Sequence, residues 1–193
     1  CDGNTILSSG DTKPSYLDYT HMTNVEIGDC VTSIGNYTFY GCASMQSVSI
    51  PNGVTSIGPM AFGHCSSLTS IKIPNGVTSI GSDAFANCSS LASIEIPNGV
   101  TSIGSKAFGN CTYLRSITIP GSVTSIGGSA FYGCRRLPEI LNIPDSMESI
   151  GSEAFKGCTS LEFVVIGENV TETSLSKMLR EFAKSQNERV IFV

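Results

Sequence analysis

Charged side chains are scarce in this chain. Asp, Glu, Lys and Arg make up 14% of its 193 residues, against about 25% in an ordinary soluble protein. Ser, Thr and Asn fill the deficit, so solubility rests on hydroxyls and amides, which lie above one another without like-charge repulsion. The net charge of −5 and the lack of any Lys/Arg run argue against a phosphate-backbone partner, and nucleic acid is not expected. No apolar run approaches the roughly twenty residues that span a bilayer, so no transmembrane segment is expected. No charged-then-apolar leader precedes Cys1, and the numbered chain reads as mature or cytosolic. Histidine is nearly missing: His21 and His64 stand in unlike positions with no acidic or cysteine partner at a ligand spacing, and both read as surface residues. Asp and Glu are scattered, and neither Gly-x-Ser-x-Gly nor His-Glu-x-x-His occurs. An active site needs dissimilar groups converging on one pocket. No enzymatic activity, metal or cofactor is expected.

What is present is repetition. Cys42, Cys65, Cys88, Cys111 and Cys134 are 23 residues apart, and Cys158 follows after 24. A period between twenty and fifty residues marks a solenoid or a propeller. One copy runs from Ile73-Pro74-Asn75-Gly76-Val77 through Ile80-Gly81, Ala84-Phe85 and Cys88 to Leu91 and Ile94. Its apolar positions are too few to enclose a core alone but enough to line one when copies stack, so stability must come from stacking.

Within each copy, Leu-x-x-Ile-x-Ile-Pro alternates with the period of a strand and ends at the proline, which has no N–H for a ladder. Strands are predicted to end at Ile27, Ile50, Ile73, Ile96, Ile119, Ile143 and Ile166. They would stack in parallel and in register at about 4.8 Å as one continuous sheet. The segments 31–34, 54–57, 77–80, 100–103 and 123–126, each Val-Thr-Ser-Ile, predict a shorter extended ladder whose hydroxyls hydrogen-bond along the stack. After the Ile-Gly turn, Ser82, Ser105, Ser129 and Ser152 are placed to cap single helical turns. Phe39, Phe62, Phe85, Phe108, Phe131 and Phe155 would then form an interior spine.

The repeated Leu-x-x-Ile-x-Ile-Pro-x-x-Val-x-x-Ile-Gly-x-x-Ala-Phe-x-x-Cys resembles the BspA-like leucine-rich repeats of bacterial surface proteins and some protists, over about residues 22 to 170. The resemblance implies a curved solenoid with its parallel sheet on the concave side. It also implies display at the cell surface or secretion, and host or extracellular-matrix proteins as partners. Residues 1–21 read as an N-terminal cap, 22–172 as the solenoid and 173–193 as a C-terminal cap. In that last segment Leu175, Met178, Leu179 and Phe182 make the apolar stripe of a helix starting near Thr173 or Ser174, and 190–193 read as a final strand. One extra residue and a proline in Leu137-Pro138-Glu139-Ile140-Leu141 predict a bulge, read as a tolerated insertion.

The 23-residue interval spreads thiols along an axis, whereas zinc needs paired ligands at short spacings. Serial disulfides fit no better, since in-register Cβ atoms would lie about 4.8 Å apart where a bridge wants about 3.8 Å. The six ladder cysteines are therefore expected as buried free thiols, in the place of the asparagine ladder of other leucine-rich repeats. Cys1 and Cys30 lie outside the ladder and are open to pairing with each other. Cys1 is read as the lipid-attachment cysteine of a bacterial, outer-membrane lipoprotein, because it opens the chain and the resemblance implies surface display; a Cys1–Cys30 disulfide pinning the cap is the rival reading.

The outward strand positions form two rows. One holds Glu26, Ser49, Lys72, Glu95, Thr118, Asn142 and Val165; the other holds Asn24, Ser47, Ser70, Ser93, Ser116, Glu139 and Phe163. Against this bland face, Tyr113, Arg115, Arg135 and Arg136 stand out, in turns where earlier copies carry Ala43-Ser44, Ser66-Ser67 and Ser89-Ser90. Tyr and Arg are the types that carry binding energy in interfaces, so these four are the candidate protein-binding residues, with Lys72 and Glu95 of the strand rows next. Tyr132 would join them if its turn folds back. The readings that follow are a secreted or surface-displayed binding module with an adhesive role, a structural spacer within a larger surface protein, and an intracellular scaffold suited to free thiols.

Overall fold

The computed structural model describes residues 21–166 and 191–192. Each repeat forms one coil with two strands. The longer strands are β1 (Asn24–Glu26), β3 (Ser47–Ser49), β5 (Ser70–Lys72), β7 (Ser93–Glu95), β9 (Ser116–Thr118), β11 (Ile140–Ile143) and β13 (Phe163–Ile166). Between them lie β2 (Ser33–Ile34), β4 (Ser56–Ile57), β6 (Ser79–Ile80), β8 (Ser102–Ile103), β10 (Ser125–Ile126) and β12 (Ser149–Ile150). All pairing is parallel, and each residue faces its equivalent in the neighbouring coil: Ser70 pairs with Ser93, Ile71 with Ile94 and Lys72 with Glu95. In β1, β3, β5, β7 and β9 the central residue points into the core while its two neighbours face out.

The uninterrupted sheet is the short one, running β12-β10-β8-β6-β4-β2. The longer strands divide into β1-β3, β5-β7-β9 and β11-β13, a correction to the single sheet expected from the repeat. The break between β9 and β11 falls where the repeat gains a residue and a proline. Just before each strand, one N–H reaches back to the preceding coil: Thr69 donates to the Gln46 carbonyl, Ala92 to Thr69 and Arg115 to Ala92. Pro138 stands next in this chain and has no N–H to give. Threonine hydroxyls of the short ladder donate to backbone rather than to each other, Thr55 Oγ1 to the Thr32 carbonyl at 3.2 Å and Thr101 Oγ1 to Thr78 at 3.4 Å.

The six phenylalanines form the spine. Consecutive rings lie 5.2 Å apart for Phe39–Phe62 and 5.3–5.4 Å for the rest, with planes within 15° of parallel. All are buried. Offset parallel stacking is a favoured aromatic arrangement, and the repeat imposes it. The six ladder cysteines are free and buried beside the spine. Each of the last five reaches the phenylalanine carbonyl of the coil before it, Cys65 Sγ to Phe39, Cys88 to Phe62 and Cys111 to Phe85 at 3.2 Å, then Cys134 to Phe108 and Cys158 to Phe131 at 3.0 Å. The thiols thus donate between coils. Burial pushes the Cys134 thiol up to about 12 and raises Cys111 and Cys158 as well.

The Ile-Gly turn needs its glycine because coils touch there: a Cβ on Gly104 would lie 2.6 Å from both Gly81 C and Ser82 N. No helical turn follows, and this corrects the capping role expected of Ser82, Ser105, Ser129 and Ser152. Two residues in this segment of each coil have positive φ, such as Asp83 (55°) with Asn87 (61°) and Lys106 (52°) with Asn110 (57°); Ser129 is itself one of them. Left-handed residues four apart preclude a right-handed helix. The N–H groups of Asp83, Phe85 and Asn87 instead donate to the Ser105, Ala107 and Gly109 carbonyls of the next coil. The expected capping helix over Leu175, Met178, Leu179 and Phe182, the N-terminal cap and Cys1 lie outside the described residues. Of the final strand, Ile191–Phe192 forms β14, parallel to β13 with Ile191 beside Phe163.

Candidate functional site

Three of the four singled-out residues meet. Tyr113 follows the ladder cysteine Cys111 by two positions, and coil stacking puts Arg136, 23 residues on, directly over the same place. The Arg136 guanidinium carbon lies 4.3 Å from the Tyr113 ring centroid, and that of Arg115 lies 4.3 Å from the same centroid. The ring remains 40% exposed. A guanidinium over an aromatic face at an exposed site contributes about 0.5–1 kcal/mol, so two of them hold one another's geometry rather than the fold. Arg135 is exposed and does not share the ring; its carbonyl accepts Ser160 Oγ at 2.8 Å and Thr159 Oγ1 at 3.4 Å. Among the described residues, none of these three guanidiniums has a carboxylate partner; Lys156 pairs with Glu153 at 2.7 Å elsewhere. Three cations therefore face solvent on an acidic chain.

Sequence reasoning missed one residue of β11. Pairing of Ile140 with Phe163 and of Leu141 with Val164 puts Ile140, not Glu139, in the row after Ser116. Ile140 is 53% exposed, next to half-buried Phe163. Counting back from Pro144 rather than forward from Leu137 recovers this register. Tyr132 does not join the cluster; it lines another groove with Asp83, Asn110 and Lys106. Lys72 and Glu95 are direct partners on β5 and β7 and line a shallow groove of about 630 Å3 with Ser93, Ser116 and Thr118. His64 is exposed in a turn. Among the described residues no three His, Cys, Asp or Glu side chains gather as metal ligands, and no helix is long and apolar enough to cross a membrane. Cys30, outside the ladder, is disulfide-bonded.

No curated protein sequence matches the chain. Among solved structures it is similar to a leucine-rich repeat protein of T. pallidum, at 28% identity and a TM-score of 0.70 over 84% of this chain and 85% of that one. A leucine-rich repeat protein of Bacteroides ovatus matches at 28% identity and a TM-score of 0.60 over 79% of this chain. A leucine-rich cell surface protein of Faecalibacterium prausnitzii matches at 26% identity and a TM-score of 0.54 over 90%. The chain spans 45% of the B. ovatus protein's length and 61% of the F. prausnitzii protein's. The family model for the BspA-type leucine-rich repeat region matches in six copies over residues 13–138 and 138–179. A match over most of the chain, with stacked parallel coils of the same period, makes this protein a member of the BspA-type leucine-rich repeat family.

Proposed function

We propose that this protein is a non-enzymatic binding module, secreted or displayed at a cell surface, that adheres to host or extracellular-matrix proteins through Tyr113, Arg115, Arg135 and Arg136. The carrying observation is the Tyr113 ring with the Arg115 and Arg136 guanidiniums each 4.3 Å from its centroid, at a position where earlier copies accept a serine and the core asks for nothing. Exposed Ile140, on the strand that follows Arg136, supplies an apolar side chain. Tyr and Arg match the composition of interface hot spots, and three cations lacking carboxylate partners suit an acidic protein surface. Surface display draws support from the F. prausnitzii relative, described as a cell surface protein. A disulfide at Cys30 suits an oxidising compartment.

Cys1 has two proposed fates that exclude one another, a lipid thioether and a disulfide to Cys30. The disulfide-bonded state of Cys30 favours the second. The binding reading is tested by immobilising the chain and exposing it to solubilised extracellular matrix. A retained protein should bind the Tyr113→Ala/Arg135→Ala/Arg136→Ala variant at least tenfold more weakly. Retention of nothing would remove the adhesive reading and leave the spacer.

A further inference from the structure

A second groove lies away from the Tyr113 cluster, on the segment with two positive-φ residues in each coil. Its volume is about 400 Å3, at the low end of the roughly 300–1,000 Å3 of small-ligand clefts. Directly after Phe in each copy sits a position held in turn by Tyr40, Gly63, Ala86, Gly109, Tyr132 and Lys156. Because the coil accepts tyrosine there twice, packing does not demand the small residues between. Ala86 and Gly109 make a buried floor, Tyr132, 40% exposed, lines it one coil on, and Glu153 and Lys156 line it from the coil after that.

One side wall is an amide row. Asn110 Nδ2 donates to Asn87 Oδ1 at 3.1 Å, and Asn87 Nδ2 lies 3.2 Å from His64 Nε2. The positive φ at this position is met by glycine in other coils, at Gly41, Gly133 and Gly157, so the backbone does not require asparagine. The opposite wall carries Asp83 and Lys106, again at positive φ, a conformation uncommon outside glycine. Their side chains make no hydrogen bond or ion pair among the described residues, and the Tyr132 hydroxyl makes no hydrogen bond but lies within electrostatic reach of Lys156. Backbone groups are spent between coils, the Asp83 and Asn87 N–H on Ser105 and Gly109 and the Asn110 N–H on Tyr132. A peptide strand therefore finds no edge here, and recognition falls to side chains. The charges balance, Asp83 and Glu153 against Lys106 and Lys156, which favours a neutral ligand over a polyanion.

We propose that this groove binds a neutral oligosaccharide, with a sugar ring against the Tyr132 face and its hydroxyls on Asn87, Asn110, Asp83 and Lys106. A pyranose offers an apolar C–H face and a rim of hydroxyls that both donate and accept, as these groups do. The site is independent of the protein-binding reading. The test is a 1H–15N titration of the full chain with maltotriose, cellotriose and chitotriose. At least one should shift the side-chain amide resonances of Asn87 and Asn110 saturably. Tyr132→Ala should weaken that binding at least tenfold and Asn110→Gly severalfold, both at an unchanged melting temperature, while Tyr113→Ala leaves it intact. Failure of all three sugars at millimolar concentration, binding undiminished in Tyr132→Ala, or a preference for a sulfated oligosaccharide would overturn the proposal.

Discussion

Cys111 Sγ lies 3.2 Å from the Phe85 carbonyl oxygen one coil earlier, and that oxygen also accepts the N–H of Cys88. The thiol must be protonated to donate. Cys134 repeats the arrangement with Phe108, and burial carries it from the ordinary value of 9.0 to about 12. In the unfolded chain the same thiol ionises near 9, so above that pH the unfolded state holds fewer protons and stability falls as pH rises. The Cys134 contribution is complete below about pH 9 and is lost progressively toward 12, at up to about 1.4 kcal/mol per pH unit. Denaturant midpoints should be flat from pH 7 to 9 and drop steeply beyond. A flat profile through pH 11 would show that the thiols ionise freely in the fold.

The same burial makes the ladder unreactive. Iodoacetamide on native, unreduced protein should label none of Cys42, Cys65, Cys88, Cys111, Cys134 and Cys158, and on unfolded, unreduced protein all six, since the thiolate is the reactive species. Crosslinks between consecutive ladder cysteines would contradict the donor geometry. On the same digest, a Cys1–Cys30 peptide pair settles the fate of Cys1 as a disulfide, and an acylated N-terminal peptide settles it as a lipid anchor.

Phe108 stacks on two rings, Phe85 and Phe131, whereas Phe39 stacks on Phe62 alone among the described residues. Both are fully buried, so transfer terms are alike and the difference lies in the partners. Phe108→Ala should cost about 3–5 kcal/mol, and Phe39→Ala less by about 0.5–1.5 kcal/mol, the worth of one aromatic pair. Equal unfolding free energies would show that the stack adds nothing beyond burial.

Gly104→Ala puts a methyl 2.6 Å from backbone atoms of Gly81 and Ser82, which a side-chain rotation cannot clear. Overpacking of this kind costs about 1–3 kcal/mol, and the coil-to-coil contact puts it at the upper end. Gly121→Ala is the control, since nothing lies within 4 Å of its added Cβ. A melting temperature lowered equally by both would refute the close approach.

Much of this fold was legible because one position in each coil decides one thing. The proline ends a strand, the glycine admits the next coil, and the phenylalanine and cysteine stack, so period and residue type together yield the coils. The capping turns failed for a local reason. Asp83, Lys106, Met60 and Tyr37 all take positive φ without being glycine, and no side-chain preference announces that; the glycines and asparagines four residues later were the available signal. The sheet break and the place of Ile140 failed for a different one. An inserted residue makes the register ambiguous when counted from Leu137, and the pairs Ile140–Phe163 through Ile143–Ile166 follow the count back from Pro144 instead. The meeting of Tyr113 and Arg136 followed directly from the 23-residue period.

The two adjacent arginines should not behave alike. Arg136 holds its guanidinium 4.3 Å from the Tyr113 centroid, while Arg135 is exposed away from that ring. A planar guanidinium stacks and still presents N–H groups at its edge to a carboxylate, and an ammonium does not do both. Arg136→Lys should therefore lose affinity for a captured partner nearly as far as Arg136→Ala, whereas Arg135→Lys should retain most of it, acting as a solvated charge. The triple alanine variant sets the scale at tenfold or more, about 1.4 kcal/mol. Salt separates the roles further: raising ionic strength should erode the Arg135 contribution first, because an exposed charge is screened while a stacked contact is held by its ring. Equal losses for the two lysine variants would mean that charge alone is read here, and unchanged affinity in both would move the interface to the row of Lys72, Glu95 and Thr118.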